Sequence, residues 1–201
     1  MIGKWNKSVI LTYVGLGISV LGMVLLLSGM DMKYTIVCFM FAGICDLFDG
    51  TVARRCKRTK EEKLFGIELD SLVDVISFVA LPLVILATVS SRVCFVPIYI
   101  LYAIFAVARL AHFNITAPTD NKPVKYYEGL PVTYAALIFP IAYLLSYYIK
   151  DNTFVIFYNL LALVVGTLFI VRIKVPKPRL VSSIILLVVA IIVTILYLFV
   201  L

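Results

Sequence analysis

The chain has 201 residues, 63% of them hydrophobic and only 14% charged, with a mean hydropathy of +1.10. That leaves too little polar surface to cover a soluble globule, and it excludes a soluble enzyme, a disordered chain, a coiled coil and a disulfide-stapled secreted module. The formal net charge of +7 would raise nucleic acid as a partner for a soluble chain; here the basic residues flank apolar runs and meet anionic membrane lipids instead, so no nucleic acid is expected.

Seven apolar stretches follow in chain order, near 8–28, 33–54, 66–90, 93–113, 129–149, 153–171 and 180–200, each long enough for a transmembrane helix. Runs such as SSIILLVVAIIVTILYLFVL are apolar on every face, whereas barrel strands alternate. The expected fold class is therefore all-α, a polytopic integral membrane helix bundle of about seven transmembrane helices. No Gly/Ser- or Pro-rich linker divides it, so a single membrane-embedded domain over 1–201 is expected. The first stretch exceeds a signal-peptide core and lacks a small-residue cleavage site, and is expected to remain as a span. Trp5, beside Lys4 and Lys7, suits an interfacial segment or a simple anchor equally. Cys38, Cys45, Cys56 and Cys94 form no CxxC pair and read as structural thiols.

With the N-terminus on side one, that side carries Lys4, Lys7, Arg54, Arg55, Lys57, Arg58, Lys60, Lys63, Arg109, Lys122, Lys125, Arg172, Lys174, Lys177 and Arg179; side two carries Lys33, Arg92 and Lys150. The asymmetry assigns side one, with the N-terminus, to the cytoplasm.

The second and third stretches hold acids that a lipid-facing helix would avoid. Asp46 and Asp49 lie three apart in FAGICDLFDGTVARR, and Asp70 and Asp74 four apart in FGIELDSLVDVISF. At helical pitch Asp46, Asp49, Gly50 and Ala53 share one face, and Gly66, Asp70 and Asp74 share another. An intramembrane carboxylate costs about 2.5–3.5 kcal/mol, so four approach ~10 kcal/mol unless compensated. Protonation, arginine partners or a divalent cation could compensate; four oxygen donors without His favour Mg²⁺, Mn²⁺ or Ca²⁺, as one ion or two. The other reading is a set of solvated acids at helix ends, paired with the basic turn between them. Gly50, Ala53 and Gly66 either let helices pack closely or let a ligand approach, and Arg54 adds a cation at the rim.

The pattern Asp46-x-x-Asp49-Gly50-x-x-Ala53-Arg54, then Gly66-x-x-x-Asp70-x-x-x-Asp74, resembles the signature of the CDP-alcohol phosphotransferases, integral membrane enzymes of phospholipid synthesis. The intervening Arg55–Phe65 segment is three residues longer than the family usually has, which lengthens a polar turn without moving either acidic face. The stretches DSLVDVISFVALP, RLAHFN and EGLPVTYAA are similar to those of phosphatidylserine synthases of bacteria and archaea, with His112 and Val132 in place of the more usual arginine and proline.

The resemblance implies transfer of the phosphatidyl group from CDP-diacylglycerol to the hydroxyl of L-serine, releasing CMP. It implies metal held by Asp46, Asp49, Asp70 and Asp74, Asp74 also acting as general base, and a CDP site at Gly50, Ala53, Arg54 and Gly66. The family commonly forms homodimers. Arg109 and Asn114, polar near the cytoplasmic end of the fourth stretch, and Lys125 in the following loop are candidates for the acceptor or the lipid phosphate; snorkelling to headgroups is the other reading of Arg109. His112 reads as a helix-end histidine. Glycerol 3-phosphate or an inositol phosphate is the alternative acceptor, needing more cations than the spans offer. A cation- or proton-coupled transporter would want its acids near the midplane.

Overall fold

Asn6 starts the first helix: its side chain accepts the Ser8 N–H at 3.1 Å, and a 3-10 turn, Lys7–Val9, leads into α1 (Ile10–Leu27). In the computed structural model, which describes residues 3–116, 126–176 and 180–200, α2 (Met32–Arg55) returns antiparallel after Asp31 accepts the Lys33 N–H at its start. The α1–α2 contact is close because small residues line it. A Cβ on Gly22 would fall 2.8 Å from Cys38 Cβ, and one on Gly15 3.2 Å from Cys45 Cβ. Thr35 Oγ1 donates to the Gly22 carbonyl across the same seam at 3.0 Å.

α3 (Lys60–Asp74) begins before the apolar run, because Thr59 and Glu62 form a reciprocal capping box and Glu61 and Glu62 sit in the first turn. The N-terminal segment is tied there: Lys4 Nζ lies 2.7 Å from Glu61, whose hydrogen bond and charge hold the ammonium pKa above its usual value. Trp5 stacks on Tyr13, ring centroids 5.1 Å apart, and stays exposed.

A π turn, Val75–Ala80, follows Asp74 directly and joins α3 to α4 (Leu81–Val89). Pro82 has no N–H to offer the Phe78 carbonyl one turn back, and the buried Tyr102 hydroxyl of α5 (Val96–Thr116) donates to that carbonyl at 2.8 Å. The same remedy appears at α6 (Ala135–Tyr143): beyond Pro140 the helix tightens to 3-10, the Leu144 N–H turns to Ile141, and Tyr197 donates to the vacated Pro140 carbonyl at 2.7 Å. Tyr102 also packs against Gly166 of α7 (Asp151–Ile170), where a Cβ would meet the Tyr102 Cα at 3.2 Å. Phe39, Phe78, Phe139, Phe169 and Tyr158 complete the main core around it, and α8 (Leu180–Ile195) with the π turn Leu196–Val200 that follows it docks on α2 through a smaller one at Ile36, Met40, Val193 and Tyr197.

Five segments are long and apolar enough to cross a membrane: Lys7–Leu27, Met32–Arg55, Lys60–Val89, Val93–Thr116 and Asp151–Ile170; Val132–Tyr147 and Ile184–Phe199 are apolar but shorter. All seven expected stretches are thus helical, and the chain is a multi-pass membrane protein. The fifth is short because Gly129 and Pro131 delay its start.

One feature departs from the all-helical expectation. β1 (Tyr126–Glu128) pairs antiparallel with β2 (Lys174–Pro176), Tyr127 opposite Val175. Gly129 makes the ribbon possible: its φ is +77°, and a Cβ there would lie 2.5 Å from the Phe169 carbonyl oxygen. Lys122, Lys125, Lys177 and Arg179 lie outside the described residues.

The α2–α6 contact offers a test of packing. A Cβ on Gly43 would fall 2.6 Å from Ala136 Cβ, so Gly43→Ala should destabilise by ~1–3 kcal/mol, outweighing its helix-propensity gain. Ala136→Gly in the same chain should restore most of the loss, measured as thermal stability in detergent. Equal stability of wild type and the single variant would contradict the contact.

Candidate active site

The acids near the C-terminal ends of α2 and α3 turn toward one another. One carboxylate oxygen each from Asp46, Asp49 and Asp70 lie within 4.8 Å of one another. Asp74, one turn below Asp70, lies with its carboxyl against that of Asp46, and Asp49 meets Asp70 in the same way. Asp49 and Asp74 are each only 8% exposed. Four carboxylates so placed need a counter-charge, since repulsion and burial both penalise leaving them bare.

A cavity of ≈ 320 Å³ opens beside them. Asp46, Asp49, Asp70 and Asp74 form one end. Arg109 reaches in from α5, 7% exposed, its guanidinium over the Phe113 ring at 5.1 Å. Gly50, Thr51 and Arg54 line the end of α2; Arg54 Nη2 donates to Thr51 Oγ1 at 3.0 Å, and its Nη1 lies over Gly50, 3.7 Å from where a Cβ would be. The far wall is apolar, with Ile44 and Leu47 facing Leu186, Leu187 and Ala190 of α8. One cavity therefore joins a charged corner to a hydrocarbon-like wall.

The structure does not bring every expected residue to this cavity. Ala53 and Gly66 are outside its lining: Gly66 faces Val9 and the Arg58 guanidinium, 3.9 and 3.8 Å from a would-be Cβ, which is ordinary contact distance. Asn114 is also outside the lining; its Oδ1 accepts the Ser71 hydroxyl at 2.9 Å, tying α5 to α3. His112 stands at the helix end, 3.9 Å from Glu128. Lys125 lies outside the described residues. Sequence reasoning missed Thr12, whose Oγ1 donates to Asp49 Oδ2 at 3.2 Å; threonine in an apolar helix carries no signal until its neighbour is known.

The donor set fits a hard divalent cation. It is all carboxylate oxygen, and Cys45, the nearest softer ligand in sequence, packs toward Gly15 of α1.

Fold and site together define a multi-pass helical membrane protein with a carboxylate cluster at the head of an amphipathic cavity. The sequence model of the CDP-alcohol phosphatidyltransferase family matches residues 5–196, and the chain belongs to that family. Members use a divalent metal, which Asp46, Asp49 and Asp70 can hold. The chain is similar to three proteins named CDP-diacylglycerol–serine O-phosphatidyltransferase. It is 40% identical to that of Saccharomyces cerevisiae over 113 residues, 52% of this chain and 40% of the yeast protein. Against the Helicobacter pylori protein it is 31% identical over 166 residues, 78% of this chain and 67% of that one. Against the Methanocaldococcus jannaschii protein it is 33% identical over 134 residues, 67% and 59% respectively. The match thus spans less than half of the yeast relative.

Mn²⁺ titrated into the purified protein should bind, and Asp49→Asn should weaken it beyond the ~10–100-fold that changes around a metal's ligands typically cost. Unchanged Mn²⁺ affinity in Asp49→Asn would remove that residue from the site.

Proposed function

We propose that this protein transfers the phosphatidyl group of CDP-diacylglycerol to the hydroxyl of L-serine, giving phosphatidylserine and CMP, within a single domain over 1–201. The observation that carries the reading is the juxtaposition of the Asp46, Asp49 and Asp70 oxygens, Asp74 and Arg109 around one cavity with an apolar wall. A diphosphate esterified to a lipid needs both a cation nest and hydrocarbon lining, and this cavity offers both.

The serine oxygen attacks the lipid-linked phosphorus, the bond to CMP breaks with its electrons leaving on CMP, and the hydroxyl proton passes to the Asp74 carboxylate. Mg²⁺ or Mn²⁺, as one ion or two, held by Asp46, Asp49, Asp70 and Asp74, supplies charge neutralisation for the pyrophosphate. Gly50 and Arg54 receive the CDP moiety at the end of α2, and Ala53, on the same helix face as Asp46 and Asp49, keeps bulk away from its edge. Arg109 binds the serine carboxylate or the lipid phosphate, with Asn114 holding α5 in place and Lys125 assisting from the loop. Arg54 and Arg109 are the cations of the described cavity lining, which suits an unphosphorylated acceptor better than glycerol 3-phosphate or an inositol phosphate. The names of the relatives point the same way. The charge asymmetry supports a site and an N-terminus at the cytoplasmic face of a cell membrane, and the exposed apolar faces of the outer helices suit a homodimer.

CMP release from CDP-diacylglycerol by purified protein should depend on Mg²⁺ or Mn²⁺ and on L-serine, and Asp74→Asn should slow it by ~10²–10⁴-fold, the usual range for removing a general base. Release with a different acceptor alone would discard serine; a wild-type rate in Asp74→Asn would discard the base.

Arginine presents a planar fork that lysine lacks, so Arg109→Lys should raise the KM for serine or for CDP-diacylglycerol. Unchanged KM values for both would leave Arg109 without a ligand role.

A further inference from the structure

Hydroxyls that donate from the described helices either bond their own backbone or, like Thr35, Ser71 and Thr12, reach across to another helix, and of these three Thr12 is the one that meets an acid of the cluster. Ser19, Thr88, Thr116, Thr167 and Thr194 each donate to the carbonyl four residues back on their own helix, at 2.8–2.9 Å, the habit of such side chains in apolar surroundings. Thr12 sends its proton across the α1–α2 seam to Asp49 Oδ2 instead. Both side chains are buried, 7% and 8% exposed, so the bond is shielded from water and donates to a charged acceptor.

Thr12 does not border the cavity that holds Arg109. It borders a separate pocket of ≈ 10 Å³ on the α1 side of the acids, too small for any substrate group. Its effect on chemistry must therefore pass through Asp49. The geometry is stiff: a β-branched side chain on a helix has few rotamers, and Gly15, three residues on, sets the spacing of α1 and α2 by its approach to Cys45.

We propose that Thr12 is a positioning residue of the metal site. Resting on the reading that Asp46, Asp49 and Asp70 hold a divalent cation, it engages one oxygen of Asp49 and fixes the carboxylate plane, so that the other oxygen stays with those of Asp46 and Asp70. Partners around a metal's ligands typically set affinity by ~10–100-fold, and Thr12 is such a partner supplied by a different helix from any of the acids.

The test measures Mn²⁺ affinity of the full-length protein by electron paramagnetic resonance. Thr12→Val keeps the shape and removes the donor, and should bind Mn²⁺ about 10-fold more weakly; Thr12→Ser, which keeps the hydroxyl, should bind near wild type. The Mn²⁺ concentration for half-maximal CMP release should rise in Thr12→Val, while the serine KM at saturating Mn²⁺ stays unchanged. Wild-type affinity in Thr12→Val, or equal weakening in both variants, overturns the assignment of Thr12. Absence of Mn²⁺ binding by the wild-type protein overturns the metal reading as well, and so separates the two failures. Should Thr12→Val fail to fold, Thr12→Cys, a poorer donor, must still bind Mn²⁺ more weakly than Thr12→Ser for the proposal to stand.

Discussion

Four carboxylates brought together at the membrane-embedded meeting of α2 and α3 repel one another, and they have been taken at least partly out of water. The surrounding architecture keeps them there. The seam of Gly15, Ser19 and Gly22 draws α1 against α2 closely enough for Thr12 to reach Asp49. The capping box at Thr59 starts α3 early enough to bring Asp70 opposite Asp49, and the Ser71–Asn114 bond pins α5 with its Arg109 alongside. A cation held by Asp46, Asp49 and Asp70 would relieve this repulsion, so that cation binding and folding would be linked.

Much of this was legible in the sequence, for reasons that differ by element. Membrane helices declare themselves because the hydrocarbon layer demands about 20 apolar residues and internal hydrogen bonding, and all seven stretches proved helical. The acids were legible because three- and four-residue spacings survive intact in a helix, and because their cost inside a membrane makes them improbable without a use. Their meeting across two helices was inferred from that cost, and the geometry agrees.

What escaped depended on contacts between distant segments. Thr12 is one unremarked threonine until Asp49, 37 residues later, is placed beside it. Gly66 shares a face with Asp70 and Asp74 by pitch alone, yet its surface is taken up by Val9 and Arg58, which the spacing could not reveal. The β1–β2 ribbon joins stretches some 48 residues apart, and short extended pieces carry little periodic signal. The Pro140 carbonyl of α6 is likewise served by Tyr197, 57 residues later, a partner that no local pattern announces.

The π turn at Val75–Ala80 has a consequence for how this protein could change over time. Such a turn accommodates one residue more than an α-helix would in the same length, so the heading of Asp70 and Asp74 is uncoupled from that of Phe78 and Leu81 below. Removing a single residue there would swing one half relative to the other by about 100°, aiming either the acids or the aromatic core at lipid. The length of this joint therefore serves two obligations at once, the heading of the acids before it and the packing of the core after it.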